Sequence, residues 1–292
     1  LRLDATASGA VLSGNTATGT GVRGVAVDSG SIVQNSSWSA DLSYFLTSAV
    51  TVAEGVTLTL SPGVVVKGKS AGSTVSISGT LLAQGTAEAP IVFTSYLDDS
   101  VGGDTNGDGA ASTPASRNWA GVHFSDTSTG NLLDHVSILY AGSQYGPVAY
   151  AGLSINTSDL TFSNGVIRHN YRDGILINGA SPTITGSVIA NNWYGISATG
   201  NATPTITGNS FADNTVGALR LDATASGAVL SGNTATGTGV RGVAVDSGSI
   251  VQNSSWSADL SYFLTSSTVT VAEGVTLTLS PGVGGKGQAS TR

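Results

Sequence analysis

Apolar and polar residues alternate along most of the chain in short runs, and each run is closed by glycine, proline or asparagine. Residues 50–60 (VTVAEGVTLTL) show the pattern clearly, with valine or leucine separated by threonine and a terminating Ser61, Pro62 and Gly63. A period of two residues predicts strands with one buried face, and the glycines and prolines predict tight bends between them. The chain is therefore predicted to be all-β, built from many short strands.

Beyond residue 131 the pattern recurs every 22 residues. An apolar position, a bend asparagine, a proline and two glycines all keep this spacing: Phe162, Ile184 and Ile206; Asn170, Asn192 and Asn214; Pro182 and Pro204; Gly186 and Gly208; Gly195 and Gly217. Three short strands and three bends per period are typical of a parallel β-helix. Each coil then pairs with its neighbours at about 4.8 Å, and the bend asparagines stack into a ladder. We predict a parallel β-helix of roughly 22–28 residues per coil.

The sequence also contains a much longer repeat. Residues 1–48 return unchanged as residues 219–266, and residues 50–64 return as residues 269–283 after one inserted residue. A period of 218 residues is too long for one supersecondary unit, so it must be the period of a larger module. About nine coils of about 4.8 Å would give such a module an axial length of about 45 Å.

The repeat divides the chain into three predicted parts. They are the terminal coils of one module (1–30), a complete module (31–248) that carries a long Asp- and Gly-rich loop at 96–118, and the start of the next module (249–292). A chain that finishes one module and begins an identical one is suited to stacking, either in a longer polypeptide or as subunits joined head to tail. Because identical contacts that do not close on themselves generate open fibres, we expect self-association into a filament.

Composition narrows the classes of function. Only 10% of the residues are charged and the net charge is −7, which argues against a nucleic-acid partner. No apolar run approaches the length of a membrane span. Cysteine is absent, so disulfides and thiolate metal sites are excluded. The sequence has no methionine and no signal peptide, and its simplest interpretation is a mature chain or a window of a longer one.

Several motifs in the first half resemble the opening of bacterial right-handed parallel β-helix repeat proteins, which are pectate-lyase-like in fold. The matching motifs are WSADLSYFLTS (38–48), VTVAEGVTLTLSPGVVVKGK (50–69), SGTLLAQGTAEAPIVFTS (78–95), DDSVGGDTNGDG (98–109) and NWAGVHF (118–124). With the later coils, the resemblance covers nearly the whole chain. It implies right-handed coiling, as does the general chirality of parallel crossovers, and it implies that the second copy begins another β-helical domain.

The Asp- and Gly-rich loop carries a candidate metal site. Asp104, Asn106 and Asp108 precede Gly109 in the D-x-N-x-D-G pattern that begins an EF-hand calcium loop. The twelfth position is alanine, so a complete EF-hand is not expected, and Asp98 and Asp99 are placed to supply the missing carboxylate. We predict oxygen ligation of Ca²⁺ by these five side chains, with a role in making the loop rigid. The alternative is a solvated turn with no ion.

One other segment combines arginine, histidine and aspartate. In pectate-lyase-like enzymes an arginine abstracts the proton, so the resemblance makes Arg168 or Arg172, with Asp173, the weak candidates for catalysis. Neighbouring coils supply few carboxylates, and the paired aspartates and the G-H-G and R-x-K signatures of pectin-degrading glycosidases are absent. We therefore predict no catalytic residues, and interpret the segment as a polar bend.

Aromatic residues, lone histidines and glycosylation sequons complete the candidates. Six aromatic residues come from nearby coils and would form either a strip for sugar stacking or rings packed against loops: Tyr140, Tyr145, Tyr150, Tyr171, Trp193 and Tyr194. His123 and His135 are interpreted as structural. N-x-S/T sequons occur at Asn35, Asn156, Asn201 and Asn253, so glycosylation is an option for this chain.

Two classes of function follow from these observations. The first is a non-enzymatic structural or adhesive protein of the extracellular surface, secreted or cell-surface, that builds a fibre from stacked modules. The second is a β-helix protein that binds or degrades polysaccharide, as a lyase or a hydrolase. A constellation of carboxylates and arginine on one face of adjoining coils would favour the second class, and the sequence offers none that is convincing.

Overall fold

A computed structural model describes residues 1–287 apart from residues 8, 10, 11, 13, 19, 20, 146–149, 266 and 267. The described chain winds into an all-β parallel solenoid of about 12 turns and about 23 residues per coil. The predicted fold class and coil length are therefore confirmed. Within the described ranges no helix is long and apolar enough to cross a membrane.

Three long sheets form the faces of the solenoid, and consecutive strands of the chain pass from one face to the next. Sheet A contains β1 (Arg2–Leu3), β2 (Val25–Val27), β5 (Tyr44–Leu46), β8 (Val65–Gly68), β11 (Ile91–Ser95), β14 (Val136–Leu139), β17 (Val166–Arg168), β20 (Val188–Ala190), β23 (Ser210–Ala212) and β26 (Thr234–Thr236). Sheet B contains β3 (Gly30–Ile32), β6 (Val50–Val52), β9 (Thr74–Ile77), β12 (Gly121–Phe124), β15 (Ala151–Ile155), β18 (Asp173–Asn178), β21 (Tyr194–Thr199), β24 (Gly217–Leu221), β27 (Val240–Val245), β30 (Ser261–Leu264) and β33 (Gly285–Gly287).

The remaining strands form the third face and two short sheets near the end of the solenoid. Sheet C contains β4 (Ser36–Trp38), β7 (Thr57–Leu60), β10 (Thr80–Gln84), β13 (Asn131–Asp134), β16 (Leu160–Ser163), β19 (Thr183–Thr185), β22 (Thr205–Thr207) and β25 (Val229–Ser231). Sheet D pairs β28 (Gly248–Ile250) with β31 (Val269–Val271), and sheet E pairs β29 (Ser254–Trp256) with β32 (Leu277–Leu279). Two single-turn 3₁₀ helices lie at Ala5–Ala7 and Ala223–Ala225.

The core consists of inward residues stacked in register from coil to coil. Phe162 pairs with Ile184, which pairs with Ile206, and all three side chains are fully buried. Burying an apolar side chain of this size contributes roughly 1.5–3 kcal/mol relative to leaving it exposed. The 22-residue spacing seen in the sequence is therefore the spacing that keeps each apolar residue above its counterpart in the coil below.

Asparagine ladders occupy two corners of the solenoid. Between sheets A and B, the side-chain oxygen of Asn192 accepts the backbone N–H of Asn170 at 3.0 Å, while its side-chain nitrogen donates to Ile167 O and to Asn214 Oδ1. Between sheets C and A, Asn209 and Asn233 make the equivalent contacts. At each corner the ladder satisfies buried backbone groups that the bend removes from the sheets.

The two copies of the repeated sequence share a local fold but lie on different faces. In the first copy β2 and β5 belong to sheet A, whereas their counterparts β27 and β30 belong to sheet B. Sheet A has nine strands from β2 to β26, hence eight coil steps, and β27 follows one face later. The module therefore repeats after eight coils and one face, slightly fewer than the nine coils predicted, which gives an axial length of about 40 Å.

The Asn192 ladder generates a test of what stabilises the corners. We expect Asn192→Ala to lower the free energy of unfolding by about 1–3 kcal/mol for each buried group that loses its partner. Thr183→Ala, a half-buried outward position of β19 in the neighbouring coil, serves as the control and should change stability little. Urea unfolding of the two variants provides the comparison, and equal losses would contradict a special role for the ladder.

Candidate functional site

The long loop between β11 and β12 descends along the outside of the solenoid across three coils. Tyr96, at its start, packs its ring against Phe45 of β5 at 5.1 Å between centroids. Further along, Thr105 O accepts the backbone N–H of Arg23, which lies two residues before the start of β2. The loop thus connects β11 with strands two and three coils earlier. We call residues 96–118 the Asp loop.

The tip of the Asp loop is shaped by Asp104. Its Oδ1 accepts the backbone N–H groups of Gly107 at 2.7 Å and Asp108 at 3.2 Å, and its Oδ2 accepts that of Gly109 at 3.1 Å. Burial opposes the charge of Asp104, but these backbone bonds and Arg23 together lower its pKa. Gly107 and Gly109 have φ of 77° and 71°, a conformation in which glycine is strongly favoured. The turn chemistry of the D-x-N-x-D-G motif therefore sets the local backbone.

Three of the five predicted ligand residues converge at this tip. Carboxylate oxygens of Asp99, Asp104 and Asp108 lie within 4.8 Å of one another. Both oxygens of Asp99 are inaccessible to solvent and have no hydrogen-bond partner. Burial, followed by the charge of Asp104, raises the pKa of Asp99. An ionised Asp99 is therefore unfavourable in this site unless a cation compensates it.

The other two predicted ligand residues have different contacts. Asp98 is buried, and its carboxylate accepts hydrogen bonds from the Thr94 hydroxyl at 2.6 Å and from the backbone and hydroxyl of Ser100. Asn106 directs its side-chain nitrogen towards Asp108 and the Ser112 hydroxyl, at 2.9 and 3.0 Å. Asp98 therefore organises the start of the loop, while Asn106 orients Asp108.

A buried lysine beneath the loop was not singled out from the sequence. Lys67 of β8 is fully buried, and its Nζ donates to Asp98 O and Gly103 O, both at 2.8 Å. Burial lowers the pKa of Lys67, while the nearby carboxylates of Asp98 and Asp99 oppose that effect. The only sequence signal was a charged residue directly after an apolar run (VVVK). Lys67 fixes the backbone of the Asp loop to the solenoid.

A second concave site lies at the corner between sheets A and B. It is a groove of about 370 Å³ whose walls include Tyr140, His169, Tyr171 and Trp193, with residues 114–116 of the Asp loop along one side. The Tyr140 and His169 rings stack at 5.3 Å, and both residues adopt a positive φ of 59°. We call this site the aromatic groove.

Two guanidinium groups contact aromatic rings at or beside the aromatic groove. Arg117 lies over the Tyr171 ring at 4.3 Å from its centroid, and Arg172 lies over Tyr150 and Trp193 at 5.7 and 5.9 Å. Trp193 remains 43% exposed. Aromatic faces bordered by cationic donors suit the apolar faces and hydroxyl or carboxylate groups of sugars.

The remaining aromatic residues of the predicted strip differ in their exposure and contacts. Tyr150 and Tyr171 pack against each other at 5.8 Å, and Tyr145 is 71% exposed. Tyr194, in β21, is half-buried beneath the Arg220 guanidinium. The set therefore includes both exposed rings and rings packed against their neighbours.

The weak catalytic candidates do not assemble in the groove. Arg168 is exposed at the end of β17, and Arg172 is engaged with aromatic rings. Asp173 accepts a hydrogen bond from the Ser197 hydroxyl at 3.0 Å, and burial raises its pKa. Among the described residues that line the groove there is no carboxylate.

The lone histidines have different surroundings. His123 is half-buried, and burial lowers its pKa, while its Nδ1 lacks a hydrogen-bond partner. His135 Nδ1 lies 2.9 Å from the Asp134 carboxylate. Of the sequon asparagines, Asn35 and Asn253 each accept a backbone N–H through the side-chain oxygen. None of these residues joins the Asp loop or lines the aromatic groove.

Two family models of β-helical domains match the chain. Residues 120–271 match the model of the right handed beta helix region, and residues 30–159 match that of the pectate-lyase like beta helix domain. The chain therefore belongs to the right-handed β-helix family, which confirms the resemblance found in the motifs.

Individual relatives are distant. No curated protein matches the sequence. Among solved structures, the chain is similar to the mannuronan C-5 epimerase AlgE6 A-module of Azotobacter vinelandii, with 13% identity and a TM-score of 0.34 over 90% of each chain.

Proposed function

We propose that this chain is a non-enzymatic structural protein of the cell exterior in which identical modules stack into one continuous rod. The observation that carries the proposal is the continuity of sheet B. Its strands run from β3, in the first copy of the repeat, through β27 and β30, in the second, to β33, without interruption. An identical module that follows in the same way extends the same solenoid, so repetition lengthens the rod.

Composition and packing support this role. Few charged residues and a long apolar core give a rigid shape that depends little on salt or redox conditions. Parallel β-helices leave open strand edges at their ends, and another module satisfies those edges. We infer head-to-tail self-association from this, and a secreted or cell-surface location from the family.

The rod proposal is tested by electron microscopy of the native protein. We expect filaments. A feature should repeat at roughly 40 Å where modules follow one another in one polypeptide, or at roughly 58 Å where chains of about 12 turns stack end to end. The Asp loops mark that repeat, because each module presents one. Isolated short rods at high concentration, with no longitudinal association, would contradict the proposal.

We also propose that the Asp loop binds one Ca²⁺ ion. The loop segment 98–108 carries four carboxylates, those of Asp98, Asp99, Asp104 and Asp108. The cations beside them are Lys67 and Arg23, so two negative charges remain uncompensated. The unpaired oxygens of Asp99, close to those of Asp104 and Asp108, are hard oxygen ligands of the kind Ca²⁺ prefers. The ion would hold the tip of the loop in one conformation.

Calorimetric titration of the chelator-treated protein should give heat on addition of Ca²⁺ and a higher Tm. Without Ca²⁺ at pH 7, we expect Asp99→Asn to raise the Tm, because it removes an unfavourable charge. The folded pKa of Asp99 is raised, so this charge destabilises the folded state above that pKa and has no effect well below the ordinary value of about 3.9. The benefit of Asp99→Asn should therefore disappear as the pH falls towards that value.

Asp98→Asn is the matched control for Asp99→Asn. Because the Asp98 carboxylate accepts hydrogen bonds from Thr94 and Ser100, its loss should lower the Tm with or without Ca²⁺. In Ca²⁺, Asp99→Asn should weaken binding. If adding Ca²⁺ to the parent protein produced no heat and no change in Tm, the Ca²⁺ site would be contradicted. The loop would then be a metal-free turn.

The aromatic groove favours a second function, the binding of polysaccharide. We propose that stacked rings and guanidinium groups hold an acidic glycan without cleaving it, since no carboxylate lines the described walls. Trp193→Ala should weaken binding of an acidic polysaccharide about tenfold, the effect of roughly 1–1.5 kcal/mol of stacking. Leu132→Ala, an exposed position on sheet C, is the control. Unsaturated product, followed by absorbance, would instead show an enzyme.

A further inference from the structure

The chain holds an internal comparison, because identical sequences lie in two environments. The local fold is the same in both copies: Trp38 stacks on Tyr44, and Trp256 stacks on Tyr262, each pair at 4.4 Å. The backbone register is also shared, since Phe45 pairs with Lys67 and Phe263 pairs with Lys286. Residues 213–217 pack against residues 238–240 of the second copy only. Away from that segment, differences between the copies report what covers them.

The first copy is covered by the Asp loop. Arg23 donates its backbone N–H to Thr105 O at 3.0 Å, and its guanidinium lies 3.7 Å from the Asp104 carboxylate. The Ser43 hydroxyl donates to Gly102 O at 3.0 Å. Gly107 approaches the backbone of Gly21 so closely that an added Cβ would lie 2.6 Å from it.

An aromatic contact completes the cover. Phe45 packs against Tyr96 at 5.1 Å and is only 5% exposed. Together these contacts join the Asp loop to residues that lie two and three coils earlier in the solenoid. On the predicted module boundaries, the backbone segment up to residue 30 belongs to the preceding module. The loop thus bridges two modules.

The second copy presents the same groups without that cover. Arg241, the counterpart of Arg23, is exposed, and its Nε bonds only to the nearby Gly237 O. No carboxylate of the described chain forms an ion pair with it. Phe263 and Ser261, the counterparts of Phe45 and Ser43, are half-buried where the originals are buried.

We propose that Arg241, Ser261 and Phe263 form a docking surface for a second copy of the Asp loop, carried by a following module of the same polypeptide. The chemistry of the occupant is defined by the first copy: an aspartate for the arginine, a backbone carbonyl for the serine and a tyrosine ring for the phenylalanine. The Asp loop is then a clamp that locks each module to the one before it. This inference rests on the proposed stacking of modules.

Cysteine labelling tests the clamp, since the chain has no native cysteine. Ser43→Cys and Ser261→Cys are made in the present chain and in an extended chain in which a second copy of residues 65–218 follows Val283. In the present chain we expect Ser261→Cys to react roughly tenfold or more faster than Ser43→Cys, because local exposure governs the rate. In the extended chain both should react at the same slow rate.

A matched variant separates the clamp from simple coil stacking. In a third chain the second copy of the loop is shortened between its counterparts of Asp98 and Gly109, with the coils retained. In this chain the cysteine of Ser261→Cys should still react fast. Protection of that cysteine from labelling in the absence of the loop would overturn the clamp. A second readout is Arg241→Ala, which should lower the Tm of the extended chain as Arg23→Ala does, and leave the present chain unchanged.

The possible failures are distinguishable. If electron microscopy shows that the extended chain forms a longer rod but Ser261→Cys stays reactive, the clamp is wrong and the stacking stands. If the rod does not lengthen, the proposed function fails and the clamp with it. Protection in the present chain that rises with concentration would show that a separate molecule supplies the loop, which contradicts a following module of the same chain.

Discussion

Every coil of this solenoid must hydrogen-bond its backbone to the coils on either side, and the rest of the structure depends on that constraint. Parallel pairing at fixed spacing forces residues of the same type into columns, so inward positions become a continuous apolar core. The same constraint acts at the corners, where strands end and backbone groups lose their partners. Asn170, Asn192 and Asn214 replace those partners with side-chain amides.

Regularity of this kind is what made the fold predictable from the sequence. Phe162, Ile184 and Ile206 recur at 22 residues because each must lie above the previous one, so a spacing in the sequence translates directly into a contact in space. The predicted Asp loop also lies outside the regular coils. Contacts made between coils by irregular segments were not predictable in this way, since no period relates Thr105 to Arg23 or Lys67 to Gly103.

The candidate ligand set shows the same limit. Motif spacing indicated that five side chains of the Asp loop would face one point, and carboxylate oxygens of Asp99, Asp104 and Asp108 do converge. Asp98 forms hydrogen bonds within its own turn instead, because Thr94 and Ser100 lie within reach of its carboxylate. Which of two adjacent aspartates is free depends on the hydrogen-bond donors beside it, and composition alone carries no information on that choice.

Identity of sequence likewise does not fix position on the solenoid. The strands VAV occur in sheet A in the first copy and in sheet B in the second, because a module of eight coils and one face does not return to its starting face. Successive modules joined in this way turn about the axis by one face each. In the proposed rod, loops and grooves of successive modules would then point in different directions.

The Asp loop connects the two candidate sites physically. Its first half carries the carboxylates and contacts Arg23 and Ser43, while residues 114–116 of its second half form one side of the aromatic groove. Arg117, directly after that stretch, lies over the Tyr171 ring within the groove. One segment joins these places, so the proposed module junction and the proposed glycan site would share it.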